Sequence, residues 1–206
     1  IRRQRQMCIR DRPASDLELA YRYSNLKFTG RAVVLEIELQ LTPAELSIPL
    51  RHLGGKQLPL KEAREEILRV RAAKGMVLDP DDHDTWSAGS FFTNPVVAPE
   101  LADEIARIVE AERPGEGETM PRYPQADGKV KLSAAWLIER AGFHRGFPDD
   151  NAPARLSTKH TLALTNRSGA VADDVVKLAR TVRDGVRERF DVELVSEPVW
   201  IGLSMD

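Results

Sequence analysis

The chain has 206 residues and a mass of 23.0 kDa, enough for one full domain with a sizeable core or for two small ones. Hydrophobic residues make up 42% and charged residues 30%, and 30 basic against 32 acidic side chains leave a net charge of -2. No apolar run approaches the ~20 residues of a membrane-spanning helix, the charge balance offers no global attraction to nucleic acid or anionic lipid, and a single cysteine closes no internal disulfide. The composition is that of a cytoplasmic, soluble protein.

Residues 1–12 (IRRQRQMCIRDR) stand apart. They hold five arginines, one acid and the only cysteine, Cys8. Taking these five from the thirty basic residues and this one from the thirty-two acids leaves a body of 25 basic and 31 acidic side chains, net -6. The stretch lacks the apolar centre of a signal peptide, and it is expected to be a non-native leader outside the fold.

The first recognisable element is the alternating run from Arg31 to Leu41. Leu35, Ile37, Leu39 and Leu41 share one face, while Glu36, Glu38 and Gln40 share the other, a period of two that predicts a half-buried strand. From Pro59 the spacing changes to that of a helix, with Leu60, Ala63, Ile67 and Val70 in one stripe and Gly75 as its stop. An acidic loop, residues 79–84, follows, and the domain boundary is expected around residues 75–87. Pro99 opens a second helix with Leu101, Ile105, Ile108 and Val109 inward. Ser133 caps a third that buries Leu137, Ile138 and Ala141 before Gly142. A strand is expected over Thr161–Thr165, then the longest helix, Asp173 to about Arg189, with Val175, Leu178, Val182 and Val186 as its stripe. A last strand runs from about Val192 to Ile201, broken near Pro198. Strands and helices mixed in this way predict an α+β or α/β fold.

The segment Ala88-Gly-Ser-Phe-Phe-Thr-Asn-Pro95 is the most unusual. Gly89 permits a tight backbone that exposes the hydroxyl of Ser90, but no G-x-S-x-G elbow surrounds that serine. In an extended backbone Phe91 and Phe92 point to opposite sides, so one of them is expected to pack away from the core, against a ligand.

Together with the preceding Lys74-Gly-Met-Val-Leu-Asp-Pro80, this segment resembles the signature of the UDP-N-acetylenolpyruvoylglucosamine reductases, flavoenzymes of peptidoglycan synthesis. Further blocks agree in order: Tyr21-Arg-Tyr-Ser24, Lys131–Gly142, Lys159-His-Thr-Leu-Ala-Leu-Thr-Asn166 and Glu197-Pro-Val-Trp-Ile-Gly202. The resemblance covers about residues 19–202. It implies an α+β chain in which residues 13–75 are the end of a FAD-binding lobe and residues 86–206 an α/β-type substrate-binding domain. It also implies an NADPH- and FAD-dependent oxidoreductase that reduces the C=C bond of UDP-N-acetylglucosamine enolpyruvate to UDP-N-acetylmuramate in the cytoplasm.

Such a reduction needs a hydride at C3, a proton at C2, and stabilisation of the enolate-like charge between those events. By resemblance Ser90 is the proton donor, Arg22 lies by the flavin and the substrate carboxylate, and Glu197 assists as an acid. Lys74, Asn94 and His160 fall at positions that contact the nucleotide substrate, where a lysine suits a diphosphate as a point charge. The resemblance implies no metal. It departs from the family at His52, where many relatives carry a substrate-gripping tyrosine. No glycine-rich pyrophosphate segment and no G-x-G-x-x-G occurs, so the chain by itself is expected to be inactive. The competing expectation is a nucleotide-sugar-binding module without redox activity.

Overall fold

The computed structural model describes residues 10–20, 23–27, 29–112 and 119–205. Backbone packing divides the chain into a unit of residues 1–43 and a unit of residues 44–206. In the first unit order is local. A 3-10 turn spans Ala14–Leu17, the Asn25 N–H donates to the Leu17 carbonyl at 3.0 Å, and the Asn25 side chain donates to the Asp16 carbonyl at 2.8 Å. The run 31–41 is not a strand: Leu35, Ile37, Leu39 and Leu41 are 71–80% exposed. Alternation makes a strand only where a neighbouring strand takes up the backbone N–H and C=O groups, and among the described residues none pairs with this run.

In the second unit the first α-helix, α1, spans Leu60–Ala73, in the expected place. Only Ala63 of its stripe is buried; Leu60 and Ile67 stay largely exposed. Gly75 ends the helix at φ +68, and a Cβ added there would lie 2.8 Å from the Asp84 carbonyl oxygen, so the close approach of the two segments needs glycine.

Two three-stranded sheets follow. One has the order β1 (Ser87–Ser90), β6 (Ala163–Asn166), β5 (Ala154–Leu156), and the other β2 (Val96–Val97), β4 (Val130–Leu132), β3 (Arg122–Pro124). Every pairing is antiparallel. With helices α2 (Pro99–Glu112), α3 (Ala134–Arg140) and α4 (Ala172–Phe190) the architecture is α+β. The expected α/β-type organisation of the C-terminal part is not found, because no parallel βαβ unit occurs among the described residues.

The core gathers under α4, whose Val176, Leu178, Ala179, Val182, Val186 and Phe190 are buried. It continues through Ala102, Ile105 and Val109 of α2 and Trp136, Leu137 and Ile138 of α3. Ser133 caps α3 as expected, its Oγ accepting the Trp136 N–H at 3.3 Å.

Phe91 and Phe92 both belong to this core, 4% and 1% exposed, and their rings meet edge-on at 5.0 Å. The expectation that one would turn away fails because their segment is flanked by chain on both sides. The Phe91 N–H donates to the Leu162 carbonyl at 2.7 Å, while the Phe91 carbonyl accepts the Glu197 N–H at 2.8 Å. Both rings join the core cluster, and Phe91 also meets the half-buried Trp200 edge-on at 5.8 Å, so apolar side chains cover both faces. The expected strand Val192–Ile201 reduces to this short contact and a bridge between Phe92 and Ser196, since Pro198 has no N–H to extend it.

Candidate active site

Strand β1 carries one residue more than its partner between two paired positions: Ser87 pairs with Thr165, and Ser90 with Ala163. The extra residue makes a β-bulge, and Gly89 absorbs it at φ +81, a conformation that strains any residue with a Cβ. A Cβ added at Gly89 would meet nothing within 4 Å, so backbone conformation and not crowding selects the glycine. The bulge sets the direction of the half-buried Ser90, whose Oγ lies 3.4 Å from Nε2 of His160.

His160 is presented by the hairpin loop between β5 and β6. At the base of that loop Ser157, fully buried, accepts the N–H groups of Lys159 at 3.0 Å and His160 at 3.3 Å through its hydroxyl oxygen. The Ser157 N–H donates to the Ala163 carbonyl at 2.8 Å and closes the turn. Burial holds the half-buried imidazole below the ordinary histidine range, the charges of Lys74 and Arg145 push the same way, and Glu139 opposes them. The ring is therefore neutral at pH 7, and one nitrogen can accept a hydrogen bond.

The other expected residues fall as follows. Lys74 ends α1, exposed, and its ammonium is one of the charges felt by His160. Asn94 is exposed, and its Oδ1 accepts the first N–H of α3, that of Ala134, at 3.0 Å. Glu197 is exposed, with its backbone bonded to Phe91, the residue after Ser90. His52 lies 3.2 Å from the Glu66 carboxylate, which also accepts two bonds from Arg69 at 2.7 Å. Those bonds lower Glu66 to about 2, Arg69 contributing most. Arg22 lies outside the described residues. Ser90, His160 and Lys74 are thus drawn into one neighbourhood.

The structure adds residues that the sequence reading passed over. Arg145 reaches Thr161 Oγ1 at 3.4 Å and the Glu139 carboxylate at 3.6 Å, and the Thr161 hydroxyl donates to Glu139. The acidic loop 79–84 folds onto the hairpin. Lys159 donates to Asp82, while Asp84 accepts the N–H and the hydroxyl of Thr158 and, at 3.1 Å, Arg167. The signal available in sequence was a run of four aspartates between residues 79 and 84 in a chain that later offers Lys159-His160 and Arg167. A groove of about 480 Å³, lined chiefly by Leu78, Trp86, Ala88, Phe91, Leu164 and Val175, opens near β1, but none of the expected site residues lines it.

This is an α+β domain that holds a serine hydroxyl against a neutral imidazole, with an ammonium and a guanidinium close enough to act on that imidazole. Residues 79–201 match the family model described as UDP-N-acetylenolpyruvoylglucosamine reductase, C-terminal domain. Over 205 residues the chain is 59% identical to UDP-N-acetylenolpyruvoylglucosamine reductase 2 of Corynebacterium glutamicum, covering 94% of this chain and 54% of that protein. The reductase of Nocardia farcinica is 57% identical over 200 residues (92% and 51% coverage), and that of Mycobacterium tuberculosis 52% over 203 residues (92% and 54%). The chain belongs to the UDP-N-acetylenolpyruvoylglucosamine reductase family, and it spans about half the length of the curated relatives it matches.

Proposed function

We propose that this chain supplies the substrate-facing half of a reductase that converts UDP-N-acetylglucosamine enolpyruvate to UDP-N-acetylmuramate, with FAD as cofactor and NADPH as reductant. The juxtaposition of Ser90 and His160 at 3.4 Å, inside the region that matches the family, is the observation that supports this reading most. In it residues 86–206 bind the substrate, and residues 13–75 form the end of the flavin-binding region. A nucleotide sugar and NADPH as reactants make the setting cytoplasmic.

The flavin's fit can be weighed only at its substrate-facing edge. The open space in front of Gly89 leaves the backbone beside Ser90 approachable. Gly54 and Gly55 also face open space. We assign none of the described residues to holding FAD, and Arg22 alone carries that role in the reading. When bound, FAD supplies the hydride that reaches C3 of the enolpyruvyl group.

The chain's own residues handle the rest. Lys74, with His160 and Asn94, holds the nucleotide substrate, the ammonium against the diphosphate. The Ser90 hydroxyl delivers its proton to C2, completing the saturated ether, and afterwards regains a proton from solvent. A serine hydroxyl is a weak acid, so the transfer relies on the basic, enolate-like carbon beside it. Arg22 and Glu197 offset the charge that builds on the carboxylate before the proton arrives.

A chimera tests this, with the present chain replacing the matching 54% of the Corynebacterium glutamicum reductase. It is expected to bind FAD, and to sustain catalytic turnover of NADPH only when the enolpyruvyl substrate is added. Ser90→Ala within it should leave flavin reduction by NADPH intact and slow reoxidation by substrate at least ~100-fold, the lower end for a positioned general acid. Equal slowing of both half-reactions would make Ser90 a turn residue and overturn the assignment.

A further inference from the structure

Asp84 is charged and only 5% exposed, yet no role above uses it. Its Oδ1 accepts the Thr158 N–H at 3.0 Å and the Arg167 guanidinium at 3.1 Å, and its Oδ2 accepts the Thr158 hydroxyl. Ser157 is the residue whose oxygen holds the N–H of His160. The Asp84 carboxylate thus grips Thr158, the residue between Ser157 and the Lys159–His160 backbone that carries the imidazole. The carbonyl of Asp84 faces Gly75, next to Lys74, and six residues further along the chain stands Ser90. The segments bearing Lys74 and His160 therefore meet at Asp84, the first at its carbonyl and the second at its carboxylate. Burying that charge is costly unless it is paired and fully bonded, and here it is both.

We propose that Asp84 is a positioning residue: by fixing Thr158 it sets the hairpin loop that presents His160 to Ser90. The proposal rests on the reading that Ser90 and His160 share one site, and it adds the residue that holds them together. The nearby Asp82–Lys159 pair is a weaker tether, because both partners are substantially exposed. The groups that face His160 are Ser90, Lys74, Arg145 and Glu139.

The test is a proton NMR titration of the imidazoles in the full chain. There are four histidines, and His160→Gln assigns the signal of interest. In the parent chain His160 titrates below about 6.5, the value of a solvated imidazole. Asp84→Asn should raise it towards that value, as the loop loosens and water reaches the ring. Thr158→Ala should move it the same way by less. Removing a negative charge without any movement would instead disfavour imidazolium and lower the value, so the sign separates placement from simple charge. Val109→Ala, in the core of α2, should lower the melting temperature and leave the His160 titration unchanged. A folded Asp84→Asn chain whose His160 value stays put or falls overturns the proposal, as does an equal rise in Val109→Ala. If Asp84→Asn does not fold, an unchanged titration in Thr158→Ala overturns it alone. None of these readouts requires turnover, so an inactive chimera with the expected titration would reject the reaction and leave the positioning role standing.

Discussion

Gly185 lies in the interior of α4, where glycine costs a helix roughly 1 kcal/mol relative to alanine. On propensity alone Gly185→Ala should stabilise. The structure argues the opposite. A Cβ at this position would lie 2.7 Å from Cε2 of Phe143 and closer still to its Cζ. Phe143 is buried in the core and meets Phe147 edge-on at 4.9 Å, so its ring cannot retreat without displacing a second ring. Overpacking of this kind costs about 1–3 kcal/mol, and the propensity gain returns about 1, leaving a net loss of about 0–2 kcal/mol. Urea unfolding followed by circular dichroism should show a lower midpoint with an unchanged slope. Phe143→Leu in the same chain should remove most of the penalty, giving a favourable coupling in the double-mutant cycle. A Gly185→Ala chain more stable than its parent by about 1 kcal/mol would mean that the ring yields freely and that the contact has no energetic weight.

Two further outcomes follow from the caps and the titrating groups. Ser133→Ala should cost about 1 kcal/mol in the same unfolding assay, because the Trp136 N–H loses its acceptor at the start of α3; no change would mean that water replaces the cap. Stability should also fall with acid in two windows. His160 has a folded value below its unfolded one, so its contribution is complete above about 6.5 and is lost as pH drops through the folded value. Asp84 and Asp82 are likewise lowered. Burial raises Asp84 but the Thr158 and Arg167 bonds outweigh it, and the Lys159 bond leads for Asp82, so their contribution is complete above about 3.9 and disappears below it. Melting temperatures taken from pH 7 to pH 3 should show both falls, with His160→Gln abolishing only the upper one.

The helices of this chain were legible in its sequence because each carries its own period and punctuation. Gly75, Ser133 and Gly142 stand where α1 and α3 begin or end, and the stripe Leu178, Val182, Val186 needs no knowledge of what covers it. The strands were much less legible. At two to four residues they are too short to alternate, and their existence depends on partners far along the chain. Residues 31–41 show the converse, a strong alternation that pairs with no strand among the described residues. At the site, Ser90 and His160 could be named from motif blocks, but not their contact, which comes from a bulge at Gly89 and a pairing between residues 73 positions apart, Ser90 with Ala163. Asp84 stands in sequence as one of four aspartates in a polar loop, and nothing in that row says which one will meet Thr158 and Arg167.

The position of Asp84 bears on what the buried polar residues are for. Stability in this domain comes from α4, the two phenylalanines and the aliphatic residues of α2 and α3, all apolar. The base of the hairpin loop is different: Ser157, Thr161, Thr165 and Asp84 are each 5% exposed or less, and each is polar. Apolar side chains of similar volume would stabilise such a position at least as well, since a buried ion pair seldom recovers more than its desolvation cost. What apolar side chains cannot do is fix direction. A hydroxyl that accepts two N–H groups, followed by a residue whose N–H and hydroxyl both bond a buried carboxylate, holds the turn in one arrangement, and that arrangement sets His160 against Ser90. The polar base sits where orientation matters and the apolar core where it does not, so the network at Asp84 and the contact at Ser90 are best understood as parts of one device.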